Sequence, residues 1–142
     1  MDVKTIRHSM VLPATSHEVY EALIDSAGHT AFTGQPANIS REINGESTAY
    51  GGSLFFRNLE LIPDKKIVQA WQSPANKEWP RDHFSTVTYE LHETPKGTQL
   101  NFTQEGVPAA QLEHYIEGWT TNYWTRLSGY FNSKRSQEQK RQ

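Results

Sequence analysis

The chain contains no cysteine, which excludes disulfides, thiolate metal sites and a cysteine nucleophile. No stretch approaches the ~20 apolar residues of a membrane span, and Met1-Asp2-Val3-Lys4 lacks the apolar run of a secretory leader. A cytoplasmic protein is the expectation. There is no excess of one charge either. Fourteen Lys and Arg stand against 16 Asp and Glu, a net charge of −2, so no global basic field recruits nucleic acid. Charge is uneven only at the end, where Lys134, Arg135, Lys140 and Arg141 outweigh Glu138. With no apolar residue to bury, residues 134–142 read as a flexible basic tail, leaving residues 1–133 as one domain.

Catalytic signatures are missing as well. Histidines stand at 8, 17, 29, 83, 92 and 114, but none pair at helical i, i+4 spacing or in an HExxH pattern, so no metal is expected. Asp82-His83 with Ser85 has the residue types of a hydrolytic triad. On a strand, however, neighbours point to opposite faces, so Asp82 cannot orient His83 towards Ser85. There is no GxSxG elbow, and the glycines at 45, 51 and 52 belong to turns rather than to a phosphate loop. No catalytic residue is assigned and no cofactor is expected.

What the chain does have is rings. Aromatics make up 11% of it, with 4 Trp, 6 Tyr and 6 Phe. Val3–Leu12 reads as a strand with Ile6, His8, Met10 and Leu12 on one face. After Pro13, Ser16 is placed to cap a helix whose buried face is Val19, Tyr20, Leu23 and Ile24. Gly28 is expected to break it before a second short helix at His29–Phe32. From Ile39 the turn signals come at hairpin intervals. Asn44-Gly45 separates Ile39–Ile43 from Glu46–Tyr50, and Gly51-Gly52, Pro63-Asp64, residues 74–81 and Pro95-Lys96-Gly97 divide the remaining strands. Leu54 and Phe56 share one parity and Leu59 and Leu61 the other, which predicts a bulge near Arg57.

Pro108 then suits the first turn of a last helix. Leu112, Tyr115, Ile116, Trp119, Tyr123, Leu127 and Tyr130 recur at helical spacing and form its stripe. The expected architecture is α+β: a seven-stranded antiparallel sheet curved around one long C-terminal helix, with two short helices after strand 1. This is the helix-grip order.

Several segments carry a family resemblance. They are Thr33-Gly34, the run Leu61-Ile62-Pro63-Asp64-Lys65-Lys66-Ile67-Val68 leading to Trp71, Trp79-Pro80, His83-Phe84-Ser85-Thr86-Val87-Thr88, and Gly106-Val107-Pro108 running on to Glu117-Gly118-Trp119 and Tyr123. In order and spacing they resemble the activator-of-heat-shock-protein-90-ATPase homologues, within the START-like superfamily of polyketide cyclases and pollen allergens. The resemblance implies the helix-grip fold. It is to the C-terminal domain of the eukaryotic co-chaperones, and no counterpart of their N-terminal domain is expected ahead of the first strand.

Function is expected in the space between helix and sheet. His8, Phe56, Trp71, Val87, Tyr89, Phe102, Tyr115, Trp119 and Tyr123 are the candidate lining, with tyrosine hydroxyls and His8 as polar handles. Trp79 is a candidate cavity mouth or partner contact. The leading reading is non-enzymatic binding of a small hydrophobic, lipid-like ligand, and plain core packing of these rings is the competing one. The alternative function is a protein-interaction module related to the co-chaperones, with a chaperone as partner. A cyclase or hydrolase on the same fold ranks last, since no acid–base pair is visible.

Overall fold

In the computed structural model, which describes residues 1–141, the first strand is β1 (Val3–Leu12). Ile6 and Leu12 are buried and Met10 packs against the core, as the period-two pattern requires. The chain then enters α1 (Ser16–Ile24) and α2 (Ser26–Thr33). Thr15, not Ser16, caps α1. Its hydroxyl accepts from the Glu18 amide at 3.0 Å and the Glu18 carboxylate accepts from the Thr15 amide at 3.0 Å, a reciprocal pair that a lone serine cannot match. Ser16 turns inward, 3.2 Å from Thr98 Oγ1. The helix break falls at Asp25, and Gly28 lies inside α2 instead of ending α1. A Cβ at Gly28 would sit 2.9 Å from the Glu21 carbonyl oxygen, so glycine lets α2 fold back closely on α1.

The remaining strands are β2 (Glu46–Ala49), β3 (Leu54–Ile62), β4 (Lys66–Gln72), β5 (Ser85–Thr94) and β6 (Gly97–Pro108). With β1 they make one curved antiparallel sheet of 6 strands, ordered β1-β6-β5-β4-β3-β2. The expected seventh strand, Ile39–Ile43, does not form. Asn38 makes an isolated bridge to Thr48, and beyond it side chains occupy the backbone groups that a ladder would have used. Ser26 Oγ accepts from the Ile39 amide at 2.8 Å and Ser47 Oγ from the Ser40 amide at 2.9 Å. Asn58 donates to the carbonyls of Ser40 and Glu42 at 2.8 and 3.0 Å. Asn44-Gly45 still turns the chain, with Asn44 at φ 64°, but it closes a loop. The bulge expected near Arg57 is present in β3, centred on Leu59. The register on β4 slips between Asn58 and Glu60, and Leu59 is turned outward.

Pro108 ends β6, and a short 3-10 turn (Ala109–Gln111) precedes the last helix. That helix runs as α3 (Leu112–Trp119), a π turn (Thr120–Trp124) and α4 (Thr125–Arg141). A π turn holds one more residue than an α turn, so the buried stripe rotates across it. Trp119, Tyr123, Trp124, Leu127 and Phe131 are buried, Tyr130 is only partly so, and Ile116 is 40% exposed. From Lys134, where a flexible tail was expected, α4 continues as far as Arg141, with Arg135 paired to Glu18 on α1. Gln142, the end of that expected tail, lies outside the described residues. No helix among the described residues is long and apolar enough to cross a membrane.

Candidate functional site

Helical spacing brings Tyr115, Gly118, Trp119, Asn122 and Tyr123 to one face of α3 and the π turn. Opposite them stand Leu54 at the start of β3 and Trp71 near the end of β4, with Ser73 just beyond it at the same parity. Between these surfaces lies an apolar crevice of about 150 Å³, with His114 at its helix side.

The crevice walls are fixed from behind. The Trp119 indole N–H donates to Gln104 Oε1 at 2.7 Å, the Gln104 amide donates to Ser85 Oγ at 2.9 Å, and Ser85 donates to the Trp71 carbonyl at 3.3 Å. This chain of buried groups joins α3, β6, β5 and β4 and gives each of its polar side-chain atoms a partner. Tyr115 OH accepts from Asn76 Nδ2 at 2.8 Å. Trp79 folds back from its loop, with its ring 5.4 Å edge-on from Trp71 and 5.3 Å from Tyr115, and its N–H donates to the His83 carbonyl at 2.8 Å. It buttresses the wall and is itself buried, 6% exposed.

Tyr123 is anchored from the other side. Its hydroxyl and His29 Nε2 lie 2.9 Å apart in a buried pair. Burial pushes the Tyr123 hydroxyl well above the ordinary tyrosine range, and it lowers the His29 imidazole from the ordinary 6.5 to about 4. Both groups are therefore neutral near pH 7. His29 Nδ1 has no partner among the described residues. Tyr50 OH donates to the Asn122 carbonyl at 2.6 Å and holds the π turn against the start of β3.

Of the lining predicted from sequence, Trp71, Tyr115, Trp119 and Tyr123 meet at the crevice. Phe56, Val87, Tyr89 and Phe102 do not reach it. They are buried beneath, with Phe102 4.5 Å from Trp119 and 5.5 Å from Tyr89, ring centroid to ring centroid. His8 lies elsewhere. It is half-buried on the edge strand β1 and stacked on Trp124 at 4.8 Å, with Trp124 in turn between it and Trp119. The space beneath the helix is thus closed by rings.

Sequence reasoning missed Leu54, Ser73, His114, Gly118 and Asn122. Gly118 had a signal, since a glycine in the middle of an apolar helical stripe asks for a reason. Ser73 had a weaker one, as the next residue of Trp71's parity on the same strand. The triad residue types do not combine: His83 Nε2 lies 2.6 Å from the Gly106 carbonyl, and Ser85 is engaged with Gln104 and Trp71. No group of three His, Asp or Glu converges on a metal-sized site among the described residues.

Compared with known proteins, residues 13–132 match the family described as Activator of Hsp90 ATPase homolog 1-like protein. The human "Activator of 90 kDa heat shock protein ATPase homolog 1" is 28% identical over 114 residues, 80% of this chain and 33% of that protein. The Dictyostelium discoideum "Activator of 90 kDa heat shock protein ATPase homolog" is 28% identical over 131 residues, 91% of this chain and 33% of that protein. The chain therefore spans about 33% of the length of these relatives. Among solved structures, an HSP90 activator from Plasmodium falciparum superposes with TM-score 0.78 at 23% identity, covering 87% of this chain and 92% of that one. A protein from Mesorhizobium loti superposes with TM-score 0.76 at 20% identity, covering 92% and 98%. At such identities the likeness establishes the fold alone.

Proposed function

Because the chain belongs to the Activator of Hsp90 ATPase homolog 1-like family, we propose that it is an interaction module acting on an ATP-driven chaperone of the Hsp90 type. The observation that carries this reading is the 28% identity over 80% of the chain to a protein named for activating that ATPase. The packing supports it by narrowing the alternative. Sites for drug-sized ligands occupy roughly 300–1,000 Å³, and the space left between helix and sheet is about 150 Å³. A lipid-sized guest would have to displace Phe102 or Trp119, which are already packed ring to ring at 4.5 Å.

The test is calorimetric titration of the protein into the Hsp90-type chaperone of its own cell, with the ATP hydrolysis rate followed in parallel. Saturable binding with a changed hydrolysis rate is the expected result. No heat of binding with the chaperone in its nucleotide-free, ADP or ATP state overturns the proposal.

The crevice favours a second, compatible reading, the non-enzymatic retention of a small hydrophobic ligand. Its aromatic walls give such a ligand contact area, and the ligand would be of one-ring size rather than lipid size. A panel of small apolar probes against a fatty acid tests it. The small probes bind and the fatty acid does not.

A further inference from the structure

We infer that the crevice between α3 and the end of β4 is a site for a single aromatic ring carrying one small polar substituent, with Gly118 making the room and Ser73 meeting the polar group. The inference deepens the small-ligand reading and rests on it, not on the chaperone.

Size comes first. An apolar cavity of ~150 Å³ is enough to hold one benzene-sized ring, and the crevice has about 150 Å³. The walls match such a ring in kind. Trp71 and Trp119 lie 5.7 Å apart at an interplanar angle of 38°, and Tyr115 meets Trp71 at 89°. These tilted and edge-on arrangements continue naturally onto a further ring.

Gly118 is the second observation. It stands inside α3, where glycine is the poorest helix former after proline. No close approach requires it. A Cβ built there would meet nothing nearer than Asn122 Nδ2 at 3.9 Å. The missing side chain instead opens onto the crevice, which Gly118 lines.

Ser73 is the third. It is 7% exposed and lines the crevice, and its hydroxyl is tied to no other side chain and stays within reach of solvent. A guest seated there would shut that hydroxyl off from solvent, which is costly unless the guest's own polar substituent meets it. Three other polar groups of the walls are engaged, the Trp119 N–H with Gln104, the Tyr115 hydroxyl with Asn76 and the Tyr123 hydroxyl with His29. No Asp, Glu, Lys or Arg lines the space, so the guest is neutral.

The experiment titrates p-cresol, toluene and 4-methylbenzoate into the intact chain and follows the indole N–H resonances of Trp71 and Trp119. Saturable shifts with p-cresol are expected, weaker binding of toluene by about five- to tenfold, and none of the anion. Ser73→Ala removes the preference for p-cresol over toluene. Gly118→Leu fills the space and abolishes binding of both while the melting temperature stays the same or rises. Gly118→Ala, which adds one methyl and suits a helix, weakens binding and serves if the leucine variant does not fold. Absence of shifts with p-cresol at millimolar concentration overturns the inference. So does binding that survives Gly118→Leu, or a preference unchanged in Ser73→Ala. Loss of chaperone binding in the separate titration leaves these outcomes untouched, so the two readings fail independently.

Discussion

Tyr123 and His29 share a buried hydrogen bond, hydroxyl to Nε2 at 2.9 Å, that ties the π turn of the last helix to α2. The same π turn places Tyr123 in the crevice wall and Trp124 against His8. The pair thus joins the element that shapes the site to the helical layer beside the sheet.

Stability should therefore fall in mild acid. The His29 imidazole is lowered to about 4 by burial, below its ordinary 6.5. The unfolded chain thus binds a proton that the folded chain refuses between those values. By linkage, the contribution is fully present above pH ~6.5 and is lost as pH falls towards ~4. At ~1.4 kcal/mol per pKa unit it amounts to about 3 kcal/mol. Urea midpoints measured from pH 7.5 to 4 should decline accordingly, and His29→Gln should flatten the decline over that window. An equal slope in the variant would show that other groups carry it.

The Trp119 indole separates packing from hydrogen bonding. Trp119→Ala deletes a buried ring and should cost about 3–5 kcal/mol. Trp119→Phe keeps most of the ring but strands the Gln104 carbonyl that the indole N–H satisfies at 2.7 Å, a loss of about 1–3 kcal/mol. Denaturant midpoints of the two variants test the order. If Phe is fully tolerated, the polar chain from Trp119 to Ser85 is not holding the helix on the sheet.

The end of α4 is held by charge. Arg135 pairs with Glu18, and these side chains are 32% and 24% exposed. Partly exposed pairs contribute about 1 kcal/mol or less and are screened by salt. Truncation after Ser133 should lower stability by that amount in dilute buffer and by nearly nothing in 1 M NaCl. A larger loss, or one indifferent to salt, would mean that apolar contacts hold the segment.

The sheet was legible where strands alternate cleanly. Val87, Tyr89 and Leu91 face inward on β5, and Leu100 and Phe102 on β6, as period two requires. It was less legible where side chains compete with backbone. Asn44-Gly45 carries the strongest hairpin signal in the chain, yet Ser26, Ser47 and Asn58 capture the backbone of the segment before it, and no local pattern announces a partner so far away in sequence. The last helix shows a similar limit. Its stripe is readable as far as Leu127, apart from the exposed Ile116, but the π turn inserts a residue, adds Trp124 to the buried face and replaces Tyr130 by Phe131. The candidate site was half visible for a related reason. Large rings announce themselves, whereas Gly118 and Ser73 matter for the space and the hydroxyl they present to the crevice, which neighbours in the fold define.

The final prediction distinguishes a filled interior from a hollow one. Tyr89 is buried in the middle of β5, 5.5 Å from Phe102 and 6.4 Å from Trp119, ring centroid to ring centroid, and it does not line the crevice. Tyr89→Trp adds ring volume where protein atoms already stand. Overpacking of this kind typically costs 1–3 kcal/mol, because neighbours are driven off their rotamers. The variant should therefore unfold at lower urea than the wild type. Its affinity for small aromatic probes at the crevice should change little, since the nearest shared wall, Trp119, is pinned by Gln104. A hollow grip would give the reverse: Trp would be accepted without loss of stability, and a fatty-acid probe bound by the wild type would be displaced. Measuring both quantities on one variant separates the outcomes, because stability reports on the packed interior and probe affinity on the crevice above it.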